Sequence, residues 1–358
     1  MRRALDLAAQ ADHRTSPNPM VGAVVLDVDG IEIAVGHHER AGLAHAEAGA
    51  LQRAGGRARG GTLYVTLEPC GFHGRTPPCV DVILASGVKR VVIAMLDPDP
   101  RVNGQSVERL LESGLQISVG IAEMEARKLT EFYIKQRQTG RPFVSAKFAA
   151  SLDGKIATAG GESRWITGPE ARRHGHRLRH IHDAILVGVG TVLADDPELS
   201  ARFEGARQPL RIVLDSTLRT PPEAAAAGPN TIFVTTDRAS REARERLQQT
   251  GAEVLQTGGR QPDLAWLLDE LGRRNLLSLL VEGGAEVHGS FFDQRLVDRV
   301  YAYLAPTIIG GADAKGPVGG IGAASLAEAM RLGELEVESL GPDLLITATK
   351  SSAGQPIR

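Results

Sequence analysis

Residues 68–79 read EPCGFHGRTPPC and contain both cysteines of the 358-residue chain, Cys70 and Cys79. The tripeptide HAE at residues 45–47 adds His45 and Glu47. One imidazole and two thiolates leave the fourth tetrahedral position of a zinc ion open for water, as in a catalytic site. A glutamate that is not a ligand can then move protons, which is the arrangement of zinc-dependent deaminases. We therefore predict one zinc ion per chain, bound by His45, Cys70 and Cys79, with Glu47 as the catalytic residue.

The sequence around these ligands predicts two helix N-termini that face one ion. The segment from His45 to Gln52 has the composition of a helix, and Thr62–Leu67 has that of a strand, which Pro69 ends just before Cys70. Two prolines then lead Cys79 into a second helical segment. The positive ends of the helix dipoles favour thiolate over thiol, which assists metal binding.

Other interpretations of the two cysteines are a disulfide or two unrelated buried thiols. The N-terminus lacks the apolar core of a signal peptide, so we expect a reducing, cytoplasmic location, where disulfides are rare. Taken alone, His45 is a core or surface histidine and Glu47 a solvated carboxylate. Their conjunction with Pro69-Cys70 favours the metal site. The general deaminase signature ends in Cys-x-x-Cys, whereas eight residues separate the cysteines here.

Three segments together resemble the bifunctional deaminase/reductase family of riboflavin biosynthesis. They are the longer loop between Cys70 and Cys79, TSPNPMVG at residues 15–22, and HERAG at residues 38–42. The second half resembles the reductase of that family, so the resemblance covers nearly the whole chain. It implies zinc-dependent hydrolytic deamination of 2,5-diamino-6-(5-phosphoribosylamino)pyrimidin-4(3H)-one. NADPH-dependent reduction of the ribosyl side chain would follow and give 5-amino-6-(5-phosphoribitylamino)uracil. Family members commonly carry histidine where this chain has Phe72, with His73 one place later.

The alternation of strands and helices predicts an α/β fold in both halves. The resemblance implies a three-layer cytidine-deaminase-like domain over residues 1–142 and a dihydrofolate-reductase-like domain over residues 143–358. A cluster of residues that break helices, Thr139-Gly140-Arg141-Pro142, separates a helical segment, Glu123–Arg137, from a new strand. We predict strands at Gly22–Leu26, Thr62–Leu67, Arg90–Ala94, Ala184–Val189, Leu210–Leu214, Thr231–Thr235, Leu277–Val281, Val300–Leu304 and Leu344–Thr349.

The resemblance also implies a set of binding residues. Cofactor contacts fall on Ala149, Trp165, Thr191, Asp195 and Ser216, and substrate contacts on Asn18, His38, His73, Ser163, Arg179, Leu199, Arg202 and Glu282. Independently, an apolar strand ends at Gly283-Gly284 before a helical segment, where backbone N–H groups can approach a pyrophosphate. A simple tight turn is the alternative there, and Gly188-Val189-Gly190 lacks the third glycine of a dinucleotide-binding fingerprint.

Two further patterns in the second half have ordinary alternatives. His176 and His180 are four residues apart, with His182 beyond, and such a pair on a helix can bind zinc. No acidic or thiol partner stands nearby in sequence, so a solvated basic helix is the better interpretation. Asp195-Asp196 could form a pair of catalytic carboxylates, although a turn or helix cap suits Asp196 better.

Composition limits the partners. The formal net charge is −2, which gives no electrostatic reason to expect nucleic acid, and no apolar run is long enough to cross a membrane. We expect a small phosphoribosyl pyrimidine as substrate and, by analogy with the family, a homo-oligomer. Two alternatives stay open: a deaminase of another small pyrimidine with a non-catalytic reductase-like domain, and a polynucleotide-editing protein.

Overall fold

The computed structural model describes residues 1–72 and 77–351. It divides the chain into two compact units, Met1–Arg141 and Pro142–Arg358, one residue from the boundary that the sequence predicts. Among the described helices, none is both long and apolar enough to cross a bilayer. Each unit has its own sheet and core.

The described part of the N-terminal unit has a five-stranded sheet in the order β2-β1-β3-β4-β5. Its strands are Gly22–Leu26 (β1), Glu32–His37 (β2), Thr62–Val65 (β3), Arg90–Ile93 (β4) and Gln116–Val119 (β5). Strand β1 is antiparallel to both of its neighbours, whereas β3, β4 and β5 are parallel. The helices are Arg2–Ala9 (α1), Ala46–Ala54 (α2), Cys79–Ser86 (α3), Gln105–Glu112 (α4), Glu123–Leu129 (α5) and Glu131–Thr139 (α6).

Alternating side chains of β1 build the layers on the two faces of this sheet. Val24 packs with Ala4 and Leu7 of α1 on one face. Ala23 and Val25 lie on the other face, in the core cluster that also contains residues of α2, α3 and α4. The predicted helix–sheet–helix layering is confirmed.

The described part of the C-terminal unit has a nine-stranded sheet in the order β10-β9-β8-β7-β11-β6-β12-β14-β13. Its strands are Phe143–Ser151 (β6), Ala184–Gly188 (β7), Leu210–Leu214 (β8), Thr231–Thr235 (β9), Glu253–Gln256 (β10), Ser278–Gly283 (β11), Arg299–Ala305 (β12), Leu332–Leu340 (β13) and Asp343–Lys350 (β14). Its helices are Pro169–Ile181 (α7), Val189–Asp195 (α8), Arg241–Gln248 (α9), Leu264–Arg273 (α10) and Ala285–Asp293 (α11). All strands from β10 to β12 in that order are parallel, and β14 and β13 complete the sheet in antiparallel fashion.

Both faces of the parallel part are covered, as such sheets require. Ala184 and Leu186 of β7 lie in the core cluster that includes residues of α10 and α11. Ile185 and Val187 lie in the opposite cluster, with residues of α8 and α9. This arrangement confirms the predicted α/β class, and it places the carboxyl ends of the parallel strands along one edge.

Ten strands were predicted close to their observed positions, including the new strand after Pro142, but β2, β5, β10 and β13 were missed. All four lie at sheet edges, and their exposed residues weaken the apolar alternation on which strand prediction depends. The predicted single helix over Glu123–Arg137 is two helices, because Thr130 leaves helical geometry with φ −112° and ψ 20°.

Candidate active sites

The predicted zinc ligands come together in the N-terminal unit. His45 is the N-cap residue of α2, and Cys79 is the first residue of α3. Cys70 follows the end of β3. His45 Nδ1 lies 3.2 Å from Cys79 Sγ and 3.5 Å from Cys70 Sγ. All three ligand atoms lie within 4.8 Å of one another, and both cysteines are free thiols, so the disulfide alternative is wrong.

These separations suit a tetrahedral zinc ion. Zinc–sulfur and zinc–nitrogen bonds of ordinary length place the two ligand atoms about 3.5 Å apart, close to the values observed. The pKa of the Cys70 thiol is lowered to about 4, chiefly by its hydrogen bond with Cys79 and also by His45. That of Cys79 is raised, because the two sulfurs share one proton through the same hydrogen bond. Binding of a metal cation would displace the proton that the two sulfurs share. The imidazole nitrogen and two sulfurs therefore suit a zinc ion.

Glu47 lies in the first turn of α2, two residues beyond His45, and its residue is only 3% exposed. Burial raises the pKa of its carboxyl to about 6, while the charge of His45 opposes the rise. His45 and Glu47 can share this site because they stand at the end of a helix rather than along its side.

A cavity of about 240 Å³ opens onto this group. Asn18 and His38 line it and lie together, with 3.0 Å between Asn18 Nδ2 and His38 Nε2. His38 Nδ1 is 3.1 Å from the carbonyl oxygen of Ala44, and burial lowers the pKa of His38. His73, the third residue expected to contact substrate here, lies outside the described residues.

The cavity also has polar lining residues that the sequence analysis missed: Glu68, Asp97, Asp99, Arg101, Tyr133 and Arg137. The Glu68 carboxylate accepts hydrogen bonds from four backbone N–H groups, those of Asp97, Gly104, Ser106 and Val107. Tyr133 donates its hydroxyl proton to Asp97 at 3.0 Å, and burial raises the pKa of Asp97 to about 6. Only the adjacency of Glu68 to Pro69-Cys70 hinted at one of these residues.

In the C-terminal unit, a buried ion pair joins two of the predicted substrate residues. Arg179 of α7 donates from Nε and Nη2 to the two oxygens of Glu282, at 2.8 and 2.9 Å. Lys147 of β6, which the sequence analysis missed, places Nζ 3.7 Å from Glu282 Oε2. Burial alone would raise the pKa of Glu282, but the two cations outweigh it and lower the pKa to about 2.

The remaining predicted substrate residues differ in their surroundings. Ser163 donates to Asp195 Oδ1 at 3.2 Å, so a substrate position and a cofactor position lie side by side. The Arg202 side chain is 53% exposed and lies 3.3 Å from Glu198, four residues earlier in the chain. The Leu199 side chain is 1% exposed and belongs to a core cluster, so it is not open to a ligand in this structure.

The predicted cofactor residues follow the carboxyl edge of the parallel sheet. Ala149 lies near the end of β6, Thr191 in α8 after β7, and Ser216 just after β8. The diglycine turn fits an approaching pyrophosphate: Gly283 has φ +102°, and a Cβ on Gly284 would lie 3.7 Å from Thr191 Oγ1. A side chain there would fill the gap beside the N-terminus of α11. Trp165 is 69% exposed, with the Arg172 guanidinium 4.6 Å from its ring centre.

The three histidines near α7 do not form a metal site. His176 Nδ1 contacts the carbonyl of Ser200, His180 Nδ1 accepts from the backbone of Arg207, and His182 Nε2 contacts Ser145 Oγ. Within the described ranges, only His45, Cys70 and Cys79 form a group of three or more such side chains able to hold a metal ion.

Comparison with known proteins identifies both units. Residues 1–95 match the model of the cytidine and deoxycytidylate deaminase zinc-binding region, and residues 142–346 match that of the RibD C-terminal domain. The riboflavin biosynthesis protein RibD of Aquifex aeolicus is 43% identical over 97% of this chain and 96% of its own length. The chain belongs to the RibD family.

Other RibD relatives agree. The Escherichia coli RibD protein is 41% identical over 97% of each chain. A solved structure of Acinetobacter baumannii RibD superposes with a TM-score of 0.90 at 36% identity, covering 98% of both chains. The Thermotoga maritima deaminase/reductase superposes with a TM-score of 0.84 at 34% identity, covering 98% of this chain and 97% of that one.

Membership of the RibD family confirms the predicted class of enzyme. The chain is a bifunctional deaminase and reductase of riboflavin biosynthesis, and it acts on a small pyrimidine. Its deaminase domain uses zinc, for which the His/Cys/Cys cluster is present, and its reductase domain uses NADPH.

Proposed function

We propose that the N-terminal domain deaminates 2,5-diamino-6-(5-phosphoribosylamino)pyrimidin-4(3H)-one and that the C-terminal domain reduces the ribosyl chain of the product. The observation that carries the proposal is the convergence of His45, Cys70 and Cys79 beside the buried Glu47, at one end of a cavity of about 240 Å³. The T. maritima relative is named for the same pair of reactions.

In the deaminase site, His45, Cys70 and Cys79 would hold zinc, which as a Lewis acid lowers the pKa of a coordinated water toward neutrality. The Glu47 carboxylate takes a proton from the attacking water. It delivers that proton to the ring nitrogen, then takes the remaining proton of the hydroxyl now bound to the ring carbon and passes it to the amino group, which leaves as ammonia. Asn18 and His38 lie on the cavity wall and orient the pyrimidine through hydrogen bonds.

In the reductase site, NADPH would supply hydride to C1′ of the ring-opened ribosyl chain. Thr191, Asp195, Ser216 and the diglycine turn stand along the edge where the cofactor is expected to lie. Arg179 holds Glu282 in one orientation through two hydrogen bonds, so that the Glu282 carboxylate can accept a hydrogen bond from the substrate. Lys147 stands beside this carboxylate as a donor, and it can supply the proton that accompanies the hydride.

One assay that follows ammonia and NADPH together, with the diaminopyrimidinone phosphoribosyl compound as sole substrate, tests both half-reactions. We expect ammonia release followed by an equal loss of NADPH. Ammonia without NADPH loss would favour the alternative of a deaminase with a non-catalytic reductase-like domain. If zinc-replete protein gives neither ammonia release nor NADPH loss, the proposed substrate is wrong. Sedimentation of the same protein tests the expected homo-oligomer.

A further inference from the structure

Two guanidinium groups line the deaminase cavity in addition to the zinc ligands and Glu47. Arg101 and Arg137 are both lining residues, and both lie near Asp99, whose side chain is only 6% exposed. Arg101 makes close contacts with this carboxylate, whereas Arg137 Nε lies 3.9 Å from it. Asp99 therefore accepts hydrogen bonds from the Arg101 guanidinium, and the Arg137 guanidinium lies beside this pair as a second cation of the wall.

Arg101 is held in place on two sides. Its Nε and Nη2 donate to the Asp99 carboxylate at 3.0 and 2.6 Å, and the aromatic ring of Phe72 lies 5.0 Å from its guanidinium carbon. These contacts fix the guanidinium plane while its side chain stays 65% exposed. Within the described part of the chain, Arg101 Nη1 makes no hydrogen bond, so this edge is available to a ligand in the cavity.

Arg137 lies near the same carboxylate, with its Nε 3.9 Å from Asp99 Oδ2. It belongs to α6, stacks on the ring of Tyr133 with 5.0 Å to the centroid, and is 21% exposed. Its Nε is buried without a hydrogen-bond partner among the described residues. A buried donor without a partner costs free energy that an anionic ligand would recover.

The acidic residues Glu68 and Asp97 of the cavity do not accept hydrogen bonds from this free edge of Arg101. Glu68 accepts from four backbone N–H donors, and Asp97 accepts from the Tyr133 hydroxyl and from the backbone N–H of Asp99. Glu47 belongs to the group at the metal end. The wall formed by Arg101, Asp99 and Phe72 therefore suits an anion with several acceptor oxygens, because a guanidinium binds such a group with parallel hydrogen bonds.

We propose that Arg101, stacked on Phe72 and oriented by Asp99, binds the 5′-phosphate of the substrate in the deaminase site and sets its preference for phosphorylated pyrimidines. This inference rests on the proposed function, in which the substrate carries a phosphate monoester. The reacting ring carbon lies at the metal end, so the ribosyl phosphate extends along the cavity toward this wall. Arg137 supports the site by supplying the second positive charge.

The test compares ammonia release from the phosphorylated substrate and from its dephosphorylated ribosyl analogue. For Arg101→Gln we expect kcat/KM on the phosphorylated substrate to fall by about 10- to 100-fold, mainly through KM, as loss of charge-assisted hydrogen bonds predicts. The value for the dephosphorylated analogue should stay within about twofold of wild type, since it lacks the group that Arg101 contacts. Arg101→Lys, which keeps the charge, should retain most of the preference.

Ribose 5-phosphate is the second probe. It should inhibit ammonia release competitively in the wild type, and its inhibition constant should rise in Arg101→Gln by about the same factor as KM. Arg109→Gln is the matched control, because Arg109 forms a comparable ion pair with the exposed Asp81 at 2.6 Å and does not line the cavity. Thermal unfolding of each variant reports whether the fold is kept.

Equal losses on both substrates would show that Arg101 acts only by holding its loop, and this would overturn the inference, as would the absence of any loss. A wild-type enzyme that releases ammonia from neither compound would instead overturn the proposed function, and the inference with it. The two failures are therefore distinguishable in one set of assays.

Discussion

Arg179 and Glu282 lie 103 residues apart in sequence and form a two-point ion pair within the reductase domain, with N–O distances of 2.8 and 2.9 Å. Their side chains are 16% and 8% exposed. A third hydrogen bond, from Arg179 Nη1 to the carbonyl of Ser200, fixes the guanidinium at 3.1 Å. The pair joins α7 to the end of β11, so the position of the carboxylate depends on both elements.

Removing the cation from this pair should destabilise the reductase domain. In Arg179→Gln the Glu282 carboxylate stays buried and loses both hydrogen bonds from the guanidinium, while Lys147 Nζ remains 3.7 Å away. We expect a loss of about 3 kcal/mol, since breaking a buried pair leaves a poorly compensated charge. Urea unfolding followed by circular dichroism measures the loss. The control is Arg173→Gln, which breaks an exposed pair with Glu170 and should cost less than about 0.5 kcal/mol. Equal effects of the two substitutions would contradict the prediction.

The same pair predicts how stability depends on pH. The pKa of Glu282 is lowered to about 2 from its ordinary value of 4.5. The ionised form therefore stabilises the fold above pH 4.5, and this contribution, about 3 kcal/mol, is lost as the pH falls toward 2. Glu282→Gln lacks the titrating group, so the difference in stability between wild type and variant should shrink between pH 5 and pH 2.5. A difference that stays constant over this range would show that Glu282 does not contribute.

Sequence reasoning found these two residues but not their relationship. Arg179 and Glu282 were each expected to contact substrate through the family resemblance, and nothing in the local pattern indicated that they bond to each other. Lys147 was missed because a lysine within an apolar strand carries no spacing signal. Such pairs arise from the order of strands in the sheet, here β11 beside β6, which a single sequence does not encode locally.

The role of Glu47 makes a prediction that separates the two domains. Glu47→Gln removes the proton carrier but no zinc ligand, so ammonia release should fall by about a hundred- to ten-thousand-fold. Zinc content, measured by metal analysis, should not change. NADPH oxidation with the deaminated substrate should also stay at the wild-type rate. Glu112→Gln, on the exposed end of α4, is the control, and retained ammonia release in Glu47→Gln would sink the assignment.

Zinc removal should have the same selectivity. A strong chelator, or the substitution Cys79→Ser, should abolish ammonia release while NADPH oxidation with the deaminated substrate continues, because the metal site belongs to the N-terminal unit alone. Added zinc should restore ammonia release in the chelated wild-type protein but not in Cys79→Ser. Loss of both activities on chelation would mean that the reductase also depends on the metal.

The deaminase site was largely predictable because its chemistry is concentrated in two short motifs. His45 and Glu47 are two residues apart, and Pro69-Cys70 and Cys79 lie in one loop. Glu68 was not recognised, although it stands two residues before Cys70, because its function is visible only in the fold: its partners are backbone N–H groups 29 to 39 residues away. Side-chain-to-backbone bonds of this kind leave no pattern in residue types.

The Glu68 carboxylate should stabilise the deaminase domain through its hydrogen bonds to the backbone. Its two carboxylate oxygens accept from four backbone N–H groups, so they organise the segment that carries Asp97, Asp99 and Arg101. Glu68→Gln replaces one oxygen by an amide nitrogen, which faces two N–H donors that it cannot satisfy. We expect a loss of about 3 kcal/mol in the stability of the deaminase domain, the cost of leaving about two buried donors unpaired.

The same substitution should also raise KM for ammonia release, because the cavity wall loses its support. Differential scanning calorimetry measures the stability, and Glu108→Gln, exposed on α4, is the matched control. Unchanged stability in Glu68→Gln would mean that solvent or a rearranged loop satisfies these donors. A loss of stability with unchanged KM would show that the wall keeps its geometry without Glu68, and it would separate the folding role of this carboxylate from its effect on substrate binding.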